Sequence, residues 1–354
     1  MNQRRHNLLN KEDIVVDASA RVIDLIFGRW RSQILYAGVK LGVFDALAHG
    51  PKNAVSVASE LDVDARMLYR LMRALGSLEL LQEDNAGSFS LTPSGELLTK
   101  NHPRTLRGMT LWEEGPLTYA AWRHLPDLIK EGKQEGFGRE FGAPLFAYLT
   151  QHPSYGAVFN EAMSSYSGAD NAWVLEALEN YDFSGVAHLC DIGGGHGYAL
   201  CQLLAKYPSL HGTVLDLPGV VENTEALWAG KLGIGDRCTY IAGDMFREVP
   251  PADAYMMKRI MHDWNDAECI QILSNAHRAA PPNGRVFIME AVVPGPNTPH
   301  FSKLFDIHML VMLTGQERTT EEYVRLLEGA GWKYHQTLYP ASRMLGVIEG
   351  VKVT

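Results

Sequence analysis

The sequence predicts an α/β fold, in which a doubly wound domain follows a mostly helical N-terminal domain. From about residue 186, short apolar strands alternate with helical segments, which is typical of a parallel sheet covered on both faces. Between about residues 13 and 180, apolar residues recur with helical spacing. A glycine-rich turn follows the first predicted strand. Together these features predict a Rossmann-like domain for the second half.

Composition narrows the range of partners. The chain has 354 residues, 46% of them apolar, and a net charge of -9. Nucleic acids and anionic membranes need clustered Lys and Arg, so we expect neither as a partner and favour small molecules. The four cysteines form no C-x-x-C pair, which indicates buried thiols in a reducing compartment. Residues 1–13 are charged, and no stretch has the roughly 18 apolar residues of a membrane span, so we expect a cytoplasmic protein.

Three regions are predicted. Residues 1–110 form a helical, winged-helix-like domain, 111–180 a helical linker, and 181–354 a doubly wound, Rossmann-like domain. Within 54–98 the pattern resembles a helix-turn-helix with a wing, which often binds DNA. Residues 60–107 carry six basic and seven acidic side chains, a net charge of -1, so we predict a structural module instead.

The first N-terminal helix has apolar residues with little of their own domain to pack against. They are Ile14, Val15, Leu25, Ile26 and Phe27. A homodimer with an interlocked N-terminal region would bury them.

Five strands are predicted in the second region, each ending near a polar or glycine-rich segment. They cover Val186–Asp191, Gly212–Asp216, Thr239–Ala242, Ala254–Lys258 and Arg285–Glu290. Since the carboxyl ends of parallel strands meet at one edge, residues that follow them should meet there.

The glycine turn indicates which cofactor binds. Its spacing is Gly193-x-Gly195-x-Gly197, and Tyr198 stands where a dinucleotide site needs its third glycine. A ligand with ribose and adenine but no phosphate, such as S-adenosylmethionine, needs this clearance without a pyrophosphate site. Asp216, at the end of the second strand, is expected to accept hydrogen bonds from the ribose hydroxyls. Asp191 is expected near the cationic amino acid end.

A second group of residues predicts proton transfer. His262 follows the fourth strand, Glu290 ends the fifth, and Glu322 begins a later helix. A histidine with a pKa near ~6.5 can remove a proton from a phenol as a bond to carbon forms. Either Glu290 or Glu322 could bind the far ring nitrogen and fix the tautomer.

These motifs resemble a known family. The segments DIGGGHG, VLDLP, AGDMF, K-x-x-x-HDW-x-D, a strand-end Glu and ERT-x-x-EY are similar to those of metal-independent small-molecule O-methyltransferases. That family includes caffeic acid, isoflavone, acetylserotonin and bacterial antibiotic-tailoring enzymes. The resemblance implies an N-terminal dimerisation domain, His262 as base with Glu290 and Glu322 beside it, and cofactor contacts from Gly193, Gly195, Asp216, Leu217, Asp244, Met245 and Lys258. The candidate cofactor set also includes Asp191, Gly243, Phe246 and Arg259.

The resemblance also implies that residues 181–354 are the S-adenosylmethionine-binding catalytic domain. It further implies that the linker, residues 111–180, contributes to an acceptor pocket lined by Met and aromatic residues. Candidates are Trp112, Trp122, Phe141, Phe146, Phe159, Met163, Tyr166, Asp263, Asp306, His308, Met309 and Met312. No metal is expected, because neither His262 with Asp263 and Asp266 nor His308 with Asp306 has partners that complete a recognisable site.

The function predicted from the sequence is S-adenosylmethionine-dependent O-methylation of a phenolic or enolic hydroxyl on a small aromatic metabolite, in secondary metabolism. One alternative keeps the cofactor but performs N-methylation, decarboxylation, hydroxylation or cyclisation. A ligand-sensing transcription factor built on the winged-helix stretch is a third hypothesis.

Overall fold

The structure of the protein, a computed structural model, describes residues 11–353, with the backbone only at 11–17 and 169. Most of the charged segment 1–13 therefore lies outside the described residues, as do the side chains of Ile14 and Val15. The chain divides into two compact units. One comprises the chain up to Pro116 together with Val158–Ser165, and the other comprises Leu117–Ala157 and the chain from Tyr166.

The first unit is helical with a small antiparallel sheet. Its helices are α1 Lys11–Ile26, α2 Gly28–Leu41, α3 Val43–Leu47, α4 Ala54–Leu61, α5 Ala65–Ser77, α6 Pro93–Glu96 and α7 Arg107–Glu113. Its strands are β1 Lys52–Asn53, β2 Leu81–Glu83 and β3 Ser88–Leu91, in the order β1-β3-β2. Asp64 begins α5 by accepting a hydrogen bond from the Met67 amide at 2.8 Å. Helices α4 and α5 with the β2–β3 hairpin form the helix-turn-helix and wing that the sequence predicts.

The end of α1 and the start of α2 expose large apolar side chains. Leu25 and Ile26 are 64% and 63% exposed, and Trp30 is 58% exposed. Val22, Ile23 and Phe27 are also exposed. Large apolar side chains exposed in such number are typical of an interaction site.

Helices precede and surround the large sheet of the second unit. They are α8 Pro116–Ala121, α9 Leu125–Glu131, α10 Gly136–Phe141, α11 Leu145–Gln151, α12 Pro153–Ala177, α13 Tyr198–Lys206, α14 Pro218–Val221, α15 Trp228–Lys231, α16 Asp266–Ala279, α17 Phe301–Met312 and α18 Thr320–Gly329. Short 3-10 helices cover Trp122–His124 and Met261–Asp263. The middle of α12 belongs to the first unit.

Seven strands form the sheet, in the order β6-β5-β4-β7-β8-β10-β9. They are β4 His188–Ile192, β5 His211–Asp216, β6 Cys238–Ala242, β7 Ala254–Lys258, β8 Arg285–Glu290, β9 Trp332–Leu338 and β10 Gly346–Lys352. Strand β4 pairs in parallel with β5 on one side and β7 on the other, which makes this the point where the strand order reverses. Ligands bind at such a point, outside the carboxyl ends of the strands.

Both faces of the sheet are buried. Along β7, Tyr255 and Met257 pack into one apolar cluster, while Ala254 and Met256 pack into another. This alternation places helices on both faces, so the predicted doubly wound fold is confirmed. Within the described residues, no helix is long and apolar enough to cross a membrane.

Candidate functional site

The turn after β4 is built from glycines in the left-handed region. Gly193, Gly195 and Gly197 have φ of 68°, 59° and 81°. A Cβ on Gly193 would lie 2.5 Å from the Ile260 Cδ1 atom, and one on Gly197 would lie 2.7 Å from the Tyr240 hydroxyl. A Cβ on Gly195 would meet no atom within 4 Å. The turn is therefore packed against the protein at both ends and open at its middle.

Asp191 is buried against this turn. Its side chain is 1% exposed, and neither carboxylate oxygen makes a standard hydrogen bond to the described residues. The Cγ atom is 2.5 Å from the position of a Cβ on Gly194, so the carboxylate touches the turn. Burial raises the pKa of this carboxyl to about 7. Such a buried acceptor suits a ligand that brings a cationic group.

Asp216, at the end of β5, is hydrogen-bonded to the same turn. Its Oδ2 accepts a hydrogen bond from the Gly195 amide at 2.7 Å, and its Oδ1 accepts one from the Leu217 amide at 2.7 Å. Leu217 is 60% exposed. The carboxylate still has lone pairs for ribose hydroxyls, because each oxygen accepts more than one hydrogen bond.

Four further members of the predicted cofactor set follow β6. Asp244 Oδ1 accepts from the Phe246 amide at 2.9 Å, and the Phe246 ring meets the Trp264 ring edge-on at 4.8 Å. The Met245 carbonyl accepts from Asn275 at 2.8 Å. A Cβ on Gly243 would lie 2.7 Å from Leu215. The predicted cofactor residues after β4, β5 and β6 thus share one edge of the sheet.

Lys258 ends β7, Arg259 follows it, and both side chains contact α12. Lys258 donates to the Ser167 hydroxyl at 3.4 Å, and its burial lowers its pKa. Arg259 belongs to the predicted cofactor set. Its Nε and Nη2 donate to the Asp170 carboxylate at 3.0 and 3.1 Å, and its Nη1 lies 3.8 Å from Glu317. The guanidinium of Arg259 therefore lies between two acids, Asp170 and Glu317.

The predicted proton-transfer group centres on His262, which is 6% exposed. Its Nδ1 lies 2.8 Å from Glu317 Oε1 and 3.7 Å from Glu290 Oε2. Its Nε2 lies 3.4 Å from Asp263 Oδ1. Because an ionised carboxylate only accepts, Nδ1 carries the hydrogen that binds Glu317. The hydrogen bond to Glu317 therefore favours the neutral tautomer in which Nε2 carries the free lone pair.

The surrounding acids control the basicity of His262. Burial lowers the pKa of the imidazole, but the Glu290, Asp263 and Glu317 carboxylates outweigh burial and raise the pKa to about 9. Burial raises the pKa of Glu290 to about 7 and that of Asp263 to about 6. At neutral pH the ring therefore holds a proton that several carboxylates stabilise.

Glu317 stands where the sequence analysis expected Glu290 or Glu322 to act. Glu322 is the third residue of α18, and its Oε2 accepts from the Thr319 amide at 2.8 Å while the Thr319 hydroxyl accepts from the Glu322 amide. Glu322 therefore caps a helix, and the acid that is hydrogen-bonded to His262 in the structure is Glu317. The spacing Thr319-x-x-Glu322 is itself a capping-box pattern, so the sequence held the signal that separates these two acids.

Glu317 is held in place by its neighbours in the chain. A Cβ on Gly315 would lie 1.9 Å from the His262 carbonyl oxygen, so only glycine allows this approach. The fully buried Arg318 donates to the carbonyls of Met261 and Trp264, both at 2.9 Å. These contacts join the segment of Glu317 to the segment of His262 on both sides.

A row of rings lies beside His262, and its central member, Phe305, is absent from the predicted pocket set. The Phe305 centroid is 5.7 Å from that of His262, and His308 stacks parallel to Phe305 at 5.4 Å. Tyr166 lies 6.4 Å from Phe305, and Trp122 lies 6.0 Å from His308. Tyr166, Trp122 and His308 were predicted from the sequence, and the second unit brings them together.

The other predicted pocket residues are not part of the row of rings beside His262. Trp112, Phe159 and Met163 belong to the first unit, where Trp112 and Phe159 meet at 5.2 Å. The Phe146 ring stacks on Trp264 at 6.4 Å, and Phe141 packs on Phe137 at 4.7 Å. Met309 and Met312 are buried core residues. Asp306 Oδ1 accepts from the Glu317 amide at 2.9 Å, so it supports the acid beside His262.

One cluster in the described residues has a spacing that a cation could bridge. Single ligand atoms of His262, Glu290 and Glu317 all lie within 4.8 Å of one another. The prediction that no metal binds rested on two other groups of side chains, His262 with Asp263 and Asp266, and His308 with Asp306. In this structure the Nδ1 that would bind an ion is already engaged with Glu317.

Comparison with known proteins decides the family. A family model described as an O-methyltransferase domain matches residues 122–333, and one described as an O-methyltransferase dimerisation domain matches residues 23–101. The chain belongs to the O-methyltransferase family. This O-methyltransferase is 35% identical over 335 residues to the phenazine O-methyltransferase of Lysobacter antibioticus, with 94% of this chain and 96% of that protein covered.

Two further relatives bear on its chemistry. The 8-amino-8-demethylriboflavin N,N-dimethyltransferase of Streptomyces davaonensis is 32% identical, over 89% of this O-methyltransferase and 90% of its own length. The crystal structure of human N-acetylserotonin methyltransferase with S-adenosylmethionine superposes with a TM-score of 0.83 at 27% identity, covering 99% of this chain and 100% of that one. This O-methyltransferase is therefore an S-adenosylmethionine-dependent enzyme of secondary metabolism, with an N-terminal dimerisation domain.

Proposed function

We propose that the enzyme methylates a phenolic or enolic hydroxyl of a small aromatic metabolite, with His262 as the general base. The observation that carries the proposal is the 2.8 Å hydrogen bond between His262 Nδ1 and Glu317. That contact orients the ring and leaves Nε2 as the basic atom. Direct methyl transfer to a neutral hydroxyl needs such a base, because the oxygen loses its proton as the new bond forms.

The basicity of His262 fits this class of acceptor. A phenol has a pKa near ~10, and the pKa of His262 is about 9. Transfer of a phenolic proton to His262 is therefore close to thermoneutral, and the resulting imidazolium is stabilised by Glu317 and Glu290. The base is abundant only above neutral pH, and activity with a neutral acceptor should rise accordingly.

The residues at the sheet edge fit the cofactor. S-adenosylmethionine supplies an electrophilic methyl group on a sulfonium. We propose that Asp191 binds the cationic amino acid end, because its carboxylate is buried and makes no standard hydrogen bond to the described residues. We propose that Asp216 binds the ribose hydroxyls, because it ends β5 beside Gly195, where the turn is open. Positioning of this kind supplies much of the acceleration of a methyl transfer.

The rings beside His262 support an aromatic acceptor. Phe305 and His308 stack in parallel, and Tyr166 and Trp122 extend the row. Aromatic surfaces favour planar ligands through offset and edge-to-face contacts. The relative named for phenazine O-methylation is consistent with a planar substrate.

We further propose a homodimer formed through the N-terminal domain. The exposed apolar surface of α1 and α2, which includes Leu25, Ile26 and Trp30, lies within or beside the matched dimerisation domain. A second copy would bury it.

N-methylation is a second candidate, favoured by one observation. A relative 32% identical over 89% of the chain is named as an N,N-dimethyltransferase. A neutral arylamine attacks without prior loss of a proton, so His262 would matter less for it than for a phenol.

Methyl-labelled S-adenosylmethionine and a panel of catechols, naphthols, hydroxyquinones, arylamines and aromatic carboxylates test the proposal. We expect label in an ether product, lost in His262→Ala. Label only in amine products would establish the second candidate. Binding of S-adenosylhomocysteine without label in any product would overturn both and favour a non-methylating reaction.

A further inference from the structure

We propose that the buried ion pair between Asp170 and Arg259 is a positioning device for the general base. Asp170 fixes the guanidinium of Arg259, and the guanidinium in turn fixes the Glu317 carboxylate against His262. The inference rests on the proposed function, since it concerns how His262 is prepared to accept a proton.

First, Asp170 holds the guanidinium of Arg259 at two points. Nε and Nη2 of Arg259 donate to the two oxygens of Asp170 at 3.0 and 3.1 Å. The side chains are 16% and 2% exposed. Two parallel charge-assisted hydrogen bonds fix both the place and the plane of a guanidinium, which a single bond would not do.

The second step is the direction of the remaining nitrogen. Nη1 makes no hydrogen bond to the described residues and lies 3.8 Å from Glu317 Oε1. The same Oε1 accepts from His262 Nδ1 at 2.8 Å. The Glu317 carboxylate thus lies between two cationic groups. Because Asp170 fixes the guanidinium, the attraction between Arg259 Nη1 and Glu317 acts from a fixed position. That attraction keeps the Glu317 carboxylate beside His262.

The third step is the backbone at Arg259. Its φ is 57°, in the left-handed region that residues with side chains rarely adopt. Its amide donates to the Met289 carbonyl at 3.1 Å. Its neighbour Lys258 is also tied to α12, through Ser167. A non-glycine residue keeps this conformation only where several contacts determine it, and such positions cluster at functional sites.

The charges around His262 make the effect of the Asp170–Arg259 pair measurable as a change in the pKa of His262. The charged groups near His262 come from several elements: Asp170 on α12, Lys258 and Arg259 at the end of β7, Asp263 in the 3-10 helix, Glu290 at the end of β8, Asp306 on α17 and Glu317 before α18. Acids outnumber fixed cations in this set. Removing the Arg259 charge would therefore make every nearby acid, and the imidazolium, hold its proton to higher pH.

The test compares Arg259→Gln, Arg259→Lys and Asp170→Asn in the full-length enzyme. Arg285→Gln is the matched control, because Arg285 is also a partly buried arginine paired with an acid, Glu349, but lies outside this group. One readout is the pH dependence of kcat/KM with a phenol. The other is the titration of the His262 signal in protein labelled with ¹³C at histidine Cε1, assigned with His262→Gln.

We expect Arg259→Gln to move both midpoints upward by about one pH unit. Arg259→Lys should return the midpoints toward those of the parent enzyme by restoring the charge, but it should leave the plateau of kcat/KM lowered, because an ammonium cannot make the two parallel hydrogen bonds to Asp170 that fix the guanidinium. Asp170→Asn should move the midpoints downward, because an unpaired guanidinium acts more strongly on Glu317 and His262. Arg285→Gln should change neither midpoint.

Unchanged midpoints in both Arg259→Gln and Asp170→Asn would overturn the inference, as would shifts in the same direction for both. The NMR readout needs no turnover, so the two proposals fail separately. Opposite shifts without any methyl transfer would refute the proposed function alone, and methyl transfer with unshifted midpoints would refute this inference alone.

Discussion

The hydrogen bond from His262 to Glu317 gives a prediction with a calculable size. The donor and acceptor are 2.8 Å apart, and both side chains are buried. The local acids raise the pKa of His262 from 6.5 to about 9, which at 1.36 kcal/mol per unit is about 3 kcal/mol in favour of the imidazolium. Glu317 is the nearest of these acids. Glu317→Gln keeps the shape and removes the charge, so we expect the pKa of His262 to fall by about 1 to 2 units.

The assay is the pH dependence of kcat/KM with a phenol of pKa near ~10. The neutral imidazole that acts as base exists above the pKa of His262. In the parent enzyme it is about 1% of the total at pH 7 and about 10% at pH 8, so the rate should rise about tenfold per pH unit and level off near pH 9. In Glu317→Gln the plateau should begin 1 to 2 units lower. Its height should fall at least about tenfold, because a weaker and less oriented base remains.

Glu322→Gln is the matched control. Glu322 caps α18, whereas Glu317 is the acid hydrogen-bonded to His262, so replacement of Glu322 should destabilise the fold by about 0.3–1.5 kcal/mol and leave the pH profile in place. A lower melting temperature with an unshifted profile is the expected result. A shifted profile in Glu322→Gln, or an unshifted one in Glu317→Gln, would show that Glu317 does not set the basicity of His262.

Four other predictions follow from single contacts. Asp191→Asn should weaken S-adenosylhomocysteine binding about tenfold or more by calorimetry, since a charged hydrogen bond contributes about 1.5–3 kcal/mol; unchanged affinity would exclude Asp191 as a ligand. Gly315→Ala should abolish most activity, because the new Cβ would lie 1.9 Å from the His262 carbonyl; a fully active variant would show that this approach is dispensable. Dialysis against EDTA should leave turnover unchanged, whereas loss that Zn²⁺ or Mg²⁺ restores would establish a metal at the His262 cluster. Trp30→Asp should lower the sedimenting mass to that of a monomer, and an unchanged mass would remove the α1–α2 surface from the interface.

The parallel strands were predictable because they are buried on both faces. Their apolar runs end at glycines or acids, and the predicted bounds of β7 and β8 agree with the structure residue for residue. The hairpin β9–β10 was not predicted. Its strands carry polar residues such as Lys333, His335 and Glu349, so their pattern lacks the apolar continuity that identified the others.

The site was predictable in part. Asp191, Asp216, His262 and Glu290 follow directly from strand ends, since topology brings those ends to one edge. Glu317 lies in a loop, and only tertiary contacts such as those of Gly315 bring it to His262. Sequence spacing carries little information about contacts of this kind.

Arg259 shows a different limit. Its guanidinium is hydrogen-bonded to Asp170, 89 residues earlier in the chain, and its backbone has a φ of 57°. Neither the long-range pair nor the left-handed backbone is reported by a pattern in the sequence.

The proposed role of His262 is to accept the proton of the acceptor hydroxyl. The sharpest test of that role compares parent and His262→Ala on phenols of graded acidity at one pH. We expect a loss of about 10²- to 10⁴-fold for phenols with a pKa near ~10, shrinking steadily for phenols that are already ionised. An equal loss across the series, or no loss for the weakest acid, would contradict it.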